Sequence, residues 1–328
     1  MKRNKLTKPF TLLLLIMALL LLPRGTAAAA SKTFTPIGQY YGAKVKIGKY
    51  YVYRGGPDGR WFGYSKKKNP TEAQESVIAA REDAVSNGTV VYCYHDDWDP
   101  GNSIRSHTIW KVTMKNNSRK KLKVVKDKQD PMESRWDGFK FGNAYGDKLF
   151  YNATQKLTKS GSSYVRTYKL VRLNTKTKKT KTVRKDFEIL GSTKEYIFGR
   201  TKAGKYYVYN LKKNRFYKVS GIPKGGLVIT HAYKNTVYGA QFTKKKTEGY
   251  GKIMLFSFNG SKKKIKKLKT WTISGDKYLD GCFEVDGFKY TKSLDEFYKY
   301  NLSTKKTSSI SARDYDYDLD PDYGESEE

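Results

Sequence analysis

Tyr207-Val208-Tyr209-Asn210-Leu211 runs into the turn Lys212-Lys213-Asn214 and returns through Arg215-Phe216-Tyr217-Lys218 to Val219. A strand of aromatic and β-branched residues, a polar turn and a second strand ending on an aliphatic residue read as a β-hairpin. Four more stretches have the same form. Ile109-Trp110-Lys111-Val112-Thr113-Met114 turns at 115–118 and returns to Leu122, and Tyr168 to Leu173 returns to Val183. Met254 to Phe258 returns to Leu268, and Phe297 to Leu302 returns to Ile310. From the last strand residue to the returning aliphatic residue the separations are 8, 10, 8, 10 and 8 in chain order. All are even, so in a period-2 hairpin the two residues keep to one face of the sheet.

Each of these hairpins follows a short aromatic strand: Val90 to Tyr94, Leu149-Phe150-Tyr151-Asn152, Tyr196-Ile197-Phe198, Val237 to Ala240, and Phe288-Lys289-Tyr290. Tyr50 to Tyr53 with Arg60 to Tyr64 forms a worn further copy near the N-terminus. The anchors Met114, Leu173, Leu211, Phe258 and Leu302 lie 59, 38, 47 and 44 residues apart. A period in the forties with about four short strands per repeat is the pattern of propeller blades. The expected fold is all-β, a six-bladed β-propeller over residues 31–312, with a seven-bladed variant as the alternative. Asn69 to Asn87 interrupts the repeat and predicts a helix inserted at the rim or over one mouth. Asn69 suits a cap, Pro70 the first helical position and Glu72 a capping box, while Ala73, Val77, Ala80 and Ala84 share a face.

These strands, with tails such as Tyr300-Asn301-Leu302-Ser303-Thr304-Lys305-Lys306, resemble the secreted β-propellers of Gram-positive bacteria. That group is similar to the low-density-lipoprotein-receptor and TolB-like propellers. The resemblance covers roughly residues 38–312 and implies the propeller fold and a non-catalytic role in surface binding. The Tyr-Trp-Thr-Asp signature of the receptor group is absent, so its ligand chemistry does not carry over.

The chain ends point to export. Lys2, Arg3, Lys5 and Lys8 precede the apolar run Phe10 to Leu22, and Ala27 to Ala30 offer small residues for cleavage, so residues 1–30 read as a signal peptide. Pro23 and Arg24 stop the apolar run short of a spanning helix, which needs about 20 residues. The formal net charge is +34, and the chain without residues 1–30 carries +29. Residues 313–328 form an acidic tail of net charge −7, read as flexible and folding back on the basic body. Most of the positive charge is lysine, a hydrated point charge suited to diffuse attraction of polyanions. The expected location is therefore extracellular, or associated with the cell wall. The expected partners are anionic envelope polymers such as teichoic acid or acidic polysaccharide, or a protein. Nucleic acid is a further alternative that no motif supports, and a monomer is expected. Cys93 and Cys282 are either one disulfide across a long loop or two core thiols.

Candidate site residues are few. His95-Asp96-Asp97-Trp98-Asp99, with His107 beyond, reads as a loop at a blade end, either a metal or sugar site or a polar turn with a packed Trp. The lysine runs Lys66–Lys68, Lys244-Lys245-Lys246, Lys262-Lys263-Lys264 and Lys266–Lys267 fall in turns and offer a positive surface. Asp314, Asp316, Asp318 and Glu325 have the spacing of a calcium loop, although Leu319 stands where such a loop has Gly. Beyond that calcium no cofactor is expected. The chain contains no nucleophile elbow, phosphate loop or zinc-peptidase motif, so it is expected not to be an enzyme. A propeller-type polysaccharide hydrolase or lyase is the alternative.

Overall fold

The computed structural model describes residues 31–37, 45–55, 61–71, 76–79, 84–99, 104–128, 139–160, 163–223, 227–233, 235–244, 250–260, 262–272, 283–285, 296–300 and 307–311. Its sheets are consecutive antiparallel meanders, as the repeat requires. The first blade is β2 (Val45–Ile47), β3 (Tyr50–Gly55), β4 (Trp61–Ser65) and β5 (Ser76–Ala79). The second is β6 (Ala84–Ser86), β7 (Val90–Asp99), β8 (Ile104–Thr113) and β9 (Ser118–Lys128), extended at β6 by β1 (Thr35–Pro36). The third is β10 (Lys140–Tyr145), β11 (Lys148–Ser160), β12 (Ser163–Asn174) and β13 (Thr180–Lys185). The fourth is β14 (Glu188–Ser192), β15 (Tyr196–Arg200), β16 (Tyr206–Asn210) and β17 (Arg215–Lys218). The fifth is β18 (Leu227–Tyr233), β19 (Thr236–Lys244), β20 (Tyr250–Phe258) and β21 (Lys266–Thr272). The protein is an all-β propeller, and the first strands of blades two to five lie side by side.

Two expectations are corrected here. Among the described residues the blades number five, not six. The last repeat gives a three-stranded sheet of β22 (Phe283–Val285), β23 (Glu296–Tyr300) and β24 (Thr307–Ser311), in which β22 runs parallel to β23. A parallel neighbour cannot belong to a meander of hairpins. Phe288 to Tyr290, expected as a strand of a sixth blade, lie outside the described residues. The predicted helix over 69–87 is also absent from the described residues: Ser76–Ala79 is the outer strand of the first blade and Ala84–Ser86 the first strand of the second. A short run of small apolar residues fits either period. Here pairing decides: Phe62 lies opposite Ile78 and Gly63 opposite Val77, which completes the first blade.

The core sits between blades, and this explains the uninterrupted aromatic runs. Val91 and Cys93 of β7 pack with Val52, Phe62 and Tyr64 of the first blade. Tyr92 and Tyr94 of the same strand pack with Phe141, Leu149 and Tyr151 of the third. The third blade repeats the arrangement, with Phe150 and Leu170 packing against Ile189, Ile197 and Tyr209 of the fourth. Phe198 and Val208 then meet Val237, Phe256 and Phe258 of the fifth. A strand with a blade on either side is buried on both faces and shows no polar alternation. Each fully buried ring contributes about 1.5–3 kcal/mol from the area it removes from water.

The returning aliphatic residues have a specific place. Leu122, Val183 and Leu268 each fall at a register shift, the extra residue of a β-bulge in the outer strand. A bulge bends the strand and re-aims the side chain. Leu122 is thereby buried in the cluster between the second and third blades.

Candidate functional site

Meander geometry gives the propeller two unlike ends. The hairpins joining second to third strands emerge at one end, and the turns joining first to second and third to fourth strands at the other.

At the hairpin end, the third blade projects farthest. β10 begins at Lys140, opposite Asn152, whereas β11 runs on to Ser160 paired with β12. The second blade projects likewise, and its projecting strand contains the stretch expected as a loop. His95 to Asp99 are instead strand residues, paired from His95↔Thr108 through Asp96↔His107 to Asp99↔Ile104. His95 is exposed, and His107 is buried with its ring stacked on Phe139 at 4.5 Å and edge-on to Tyr94 at 5.9 Å. Period-2 pairing rather than a loop thus holds this segment, and among the described residues no group of three His, Cys, Asp or Glu is placed to hold a metal. The fourth blade has a short hairpin. There Arg200 Nε donates to Glu188 Oε2 at 2.7 Å. Burial works against the Arg200 cation, but Glu188, with help from Tyr206, outweighs it and holds the guanidinium above its ordinary value. Burial also pushes the Tyr206 phenol up, against the pull of Arg200. The arrangement is a satisfied charge pair with its acid and base both engaged.

The turn end is lysine-rich. The turns between third and fourth strands carry exposed Lys66–Lys68 in the first blade, Lys115 in the second and Lys176, Lys178 and Lys179 in the third. Lys212 and Lys213 follow in the fourth blade, and Lys262, Lys263 and Lys264 in the fifth. Four of these turns contain a non-glycine residue with positive φ: Asn117 (52°), Lys178 (59°), Asn214 (54°) and Lys263 (53°). Asparagine side chains shape three of them: Asn116 accepts from Ser118 N, Asn174 from Lys176 N and Thr177 N, and Asn210 from Lys213 N. The Lys262–Lys264 segment also joins two blades. Ser220 N donates to Lys263 O and Ile265 N to Ser220 O, both at 3.1 Å, and Lys263 Nζ lies 4.6 Å from the centre of the Tyr217 ring. Lys244 ends β19, the second strand of the fifth blade, and so falls at the hairpin end; its side chain, Lys245 and Lys246 lie outside the described residues. So do the expected calcium ligands Asp314, Asp316, Asp318 and Glu325, the signal peptide, the acidic tail and Cys282. Cys93 is a free thiol buried in the core, and burial pushes its pKa up to about 12. The Cys93–Cys282 disulfide, which the cysteine count offered beside two core thiols, involves a residue outside those described.

Sequence reasoning missed the polar latches between the third and fourth blades. Asn152 Nδ2 donates to Phe187 O at 2.7 Å and to Lys169 O at 3.2 Å, and its Oδ1 accepts from Ile189 N. Asn143 Nδ2 donates to Thr193 O at 2.6 Å and to Phe34 O at 3.1 Å, and Ser192 Oγ donates to Gly142 O. The available signal was a lone amide closing the apolar strand Leu149-Phe150-Tyr151. Also missed was Arg184, whose guanidinium lies 3.9 Å from the centre of the Tyr207 ring and 4.9 Å from that of Phe216 across the same blade boundary.

No protein-family model matches the chain, and no curated protein matches it in sequence. Among solved structures it is similar to an oligogalacturonate lyase in complex with manganese, at 10% identity and a TM-score of 0.45, over 85% of this chain and 78% of that one. It is similar to the β-propeller domain of the Trilobed protease from Pyrococcus furiosus at 13% identity and a TM-score of 0.31, over 87% and 98%. The third is a prolyl endopeptidase at 15% identity and a TM-score of 0.37, over 66% of this chain but only 32% of that one, so the chain spans about a third of that enzyme's length. At such identities the likeness concerns the fold alone. It does correct one expectation. The sequence pointed to propellers without enzymatic activity, whereas the chain resembles propellers that are enzymes or parts of them, so the fold gives no ground for calling it non-enzymatic.

Proposed function

We propose that this propeller is exported and holds acidic polymers of the cell envelope or its surroundings, teichoic acid or acidic polysaccharide, on its lysine-rich surface. The observation that carries this reading is where the charge sits. The outer strands present exposed Lys120 and Lys121 on β9, Lys181 and Lys185 on β13, Lys218 on β17, and Lys266 and Lys267 on β21. The half-buried rings beside them are already covered by cations, Tyr207 by Arg184 and Tyr217 by Lys263. Such a surface offers point charges rather than open stacking platforms, which suits a charged polymer better than the bases of nucleic acid. Kinship with the secreted propellers of Gram-positive bacteria belongs to the same proposal and rests on the repeated strands.

The test is binding of residues 31–328 to polyglycerol phosphate, polygalacturonate and neutral dextran across a salt series. The reading predicts that both acidic polymers bind, that dextran does not, and that affinity falls steeply with salt. Binding that ignores salt, or that treats dextran alike, contradicts it. The same mixtures are sampled for shortened chains and for the unsaturated ends that a lyase leaves. If either accumulates, the polymer is a substrate; if chain length stays constant, it is a ligand.

A further inference from the structure

The two ends of the propeller differ in charge, and the turns explain why. Every described turn between third and fourth strands carries at least one exposed lysine, and no acid falls within 115–118, 175–179, 211–214 or 262–264, while the longer first-blade connection adds Glu72 and Glu75 after Lys66–Lys68. First-to-second-strand turns open at the same end and add exposed Lys49 and Lys194, with Asp147 and Glu195 as the acids beside them. The hairpin end mixes the two signs. Asp96, Asp97 and Asp99 lie on its projecting strand and Asp186 and Glu188 at the fourth blade, among Lys156, Lys159, Lys202 and Lys205. The backbone at the turn end is also uniform. Four turns place a residue at φ between 52° and 59°, and in two of them that residue is a lysine. Asparagine or glycine takes this conformation at lower cost, so the lysines at 178 and 263 are not explained by turn geometry.

Resting on the reading that the ligand is an acidic polymer, we propose that its seat is this turn end. A single chain would run across the lysine turns of successive blades. Each turn offers a small cluster of exposed charge that is weak by itself, and the clusters repeat once per blade. A polymer long enough to reach several turns binds the second and later ones intramolecularly, so affinity rises with chain length. Carboxylate and phosphate polymers share the chemistry required, and the two probes separate those sources.

Two variants of equal charge change test the proposal. One reverses the turn end at the third and fourth blades (Lys178→Glu, Lys179→Glu, Lys212→Glu, Lys213→Glu). The other reverses the hairpin end at the same blades (Lys156→Glu, Lys159→Glu, Lys202→Glu, Lys205→Glu). Each is measured by titration with polyglycerol phosphate, polygalacturonate and duplex DNA, with thermal melting as the check on folding and the matching Lys→Gln sets as gentler versions. The expected result is a loss of at least about tenfold for the turn-end variant and less than about threefold for the other, with oligomers too short to join two turns bound at least about tenfold more weakly than the polymer. Equal losses at both ends, or affinity independent of chain length, would overturn the seat and leave acidic-polymer binding standing. Wild-type protein that binds neither acidic polymer overturns both. Tighter binding to DNA than to either polymer at equal salt replaces the ligand class.

Discussion

Single residues carry distinct parts of this architecture. Asn152 joins two blades by satisfying the carbonyl of Phe187 and the amide of Ile189, both buried with it. Asn152→Leu leaves those groups unpaired and is expected to cost about 2–3 kcal/mol in urea denaturation, against about 0.5 kcal/mol for Asn116→Ala in an exposed turn. Buried acids set the alkaline limit. Burial pushes Cys93 from 9.0, and Tyr151 and Tyr209 from 10.0, to about 12. Unfolding returns these groups to their ordinary values, so stability is intact below about pH 9 and falls as pH rises from 9 toward 12. Melting temperature measured across that range is expected to drop, and a flat profile would contradict the burial. Lys178 in turn occupies a left-handed conformation that suits asparagine better. Lys178→Asn is expected to raise stability by up to about 1 kcal/mol while weakening polymer binding.

At the scale of elements, the hairpins were legible and their irregularities were not. The even spacing from strand end to returning aliphatic residue is real, and in three of the five hairpins the returning residue, Leu122, Val183 or Leu268, is the extra residue of a bulge, which packs Leu122 and Val183 between blades. A bulge has no composition of its own beyond such spacing. The stretch 69–87 was misread because its alanines and valine fit a helical face as well as two short strands, and the choice rests on partners far along the chain. His95 to Asp99 misled for a related reason: charge suggested a loop, but pairing with 104–108 on the projecting hairpin holds the segment as strand. Close packing gives another test. A Cβ on Gly199 would lie 2.2 Å from Glu188 O and 2.5 Å from the Phe187 ring. Gly199→Ala is expected to cost about 1–3 kcal/mol or more, measured by chemical denaturation.

For the whole molecule, the repeat announced a propeller, and the count of blades followed from strand pairing rather than from the number of repeats. Six copies of the aromatic strand unit accompany five blades among the described residues, because the strands described near the last copy, β22 to β24, form a three-stranded sheet with a parallel pair. The polyanion reading was legible as net charge; the division of that charge between two ends became visible only once the meander placed Lys66–Lys68 and Lys262–Lys264 at one end, Lys244 at the other and Lys266 and Lys267 on an outer strand. The most direct measurement is co-sedimentation of residues 31–328 with Gram-positive cell walls, intact or stripped of teichoic acid, across a salt series. The account predicts that the protein pellets with intact walls at low salt, is released steeply as salt rises, and pellets far less with stripped walls. Equal pelleting with both walls, or pelleting that salt does not relieve, would contradict it.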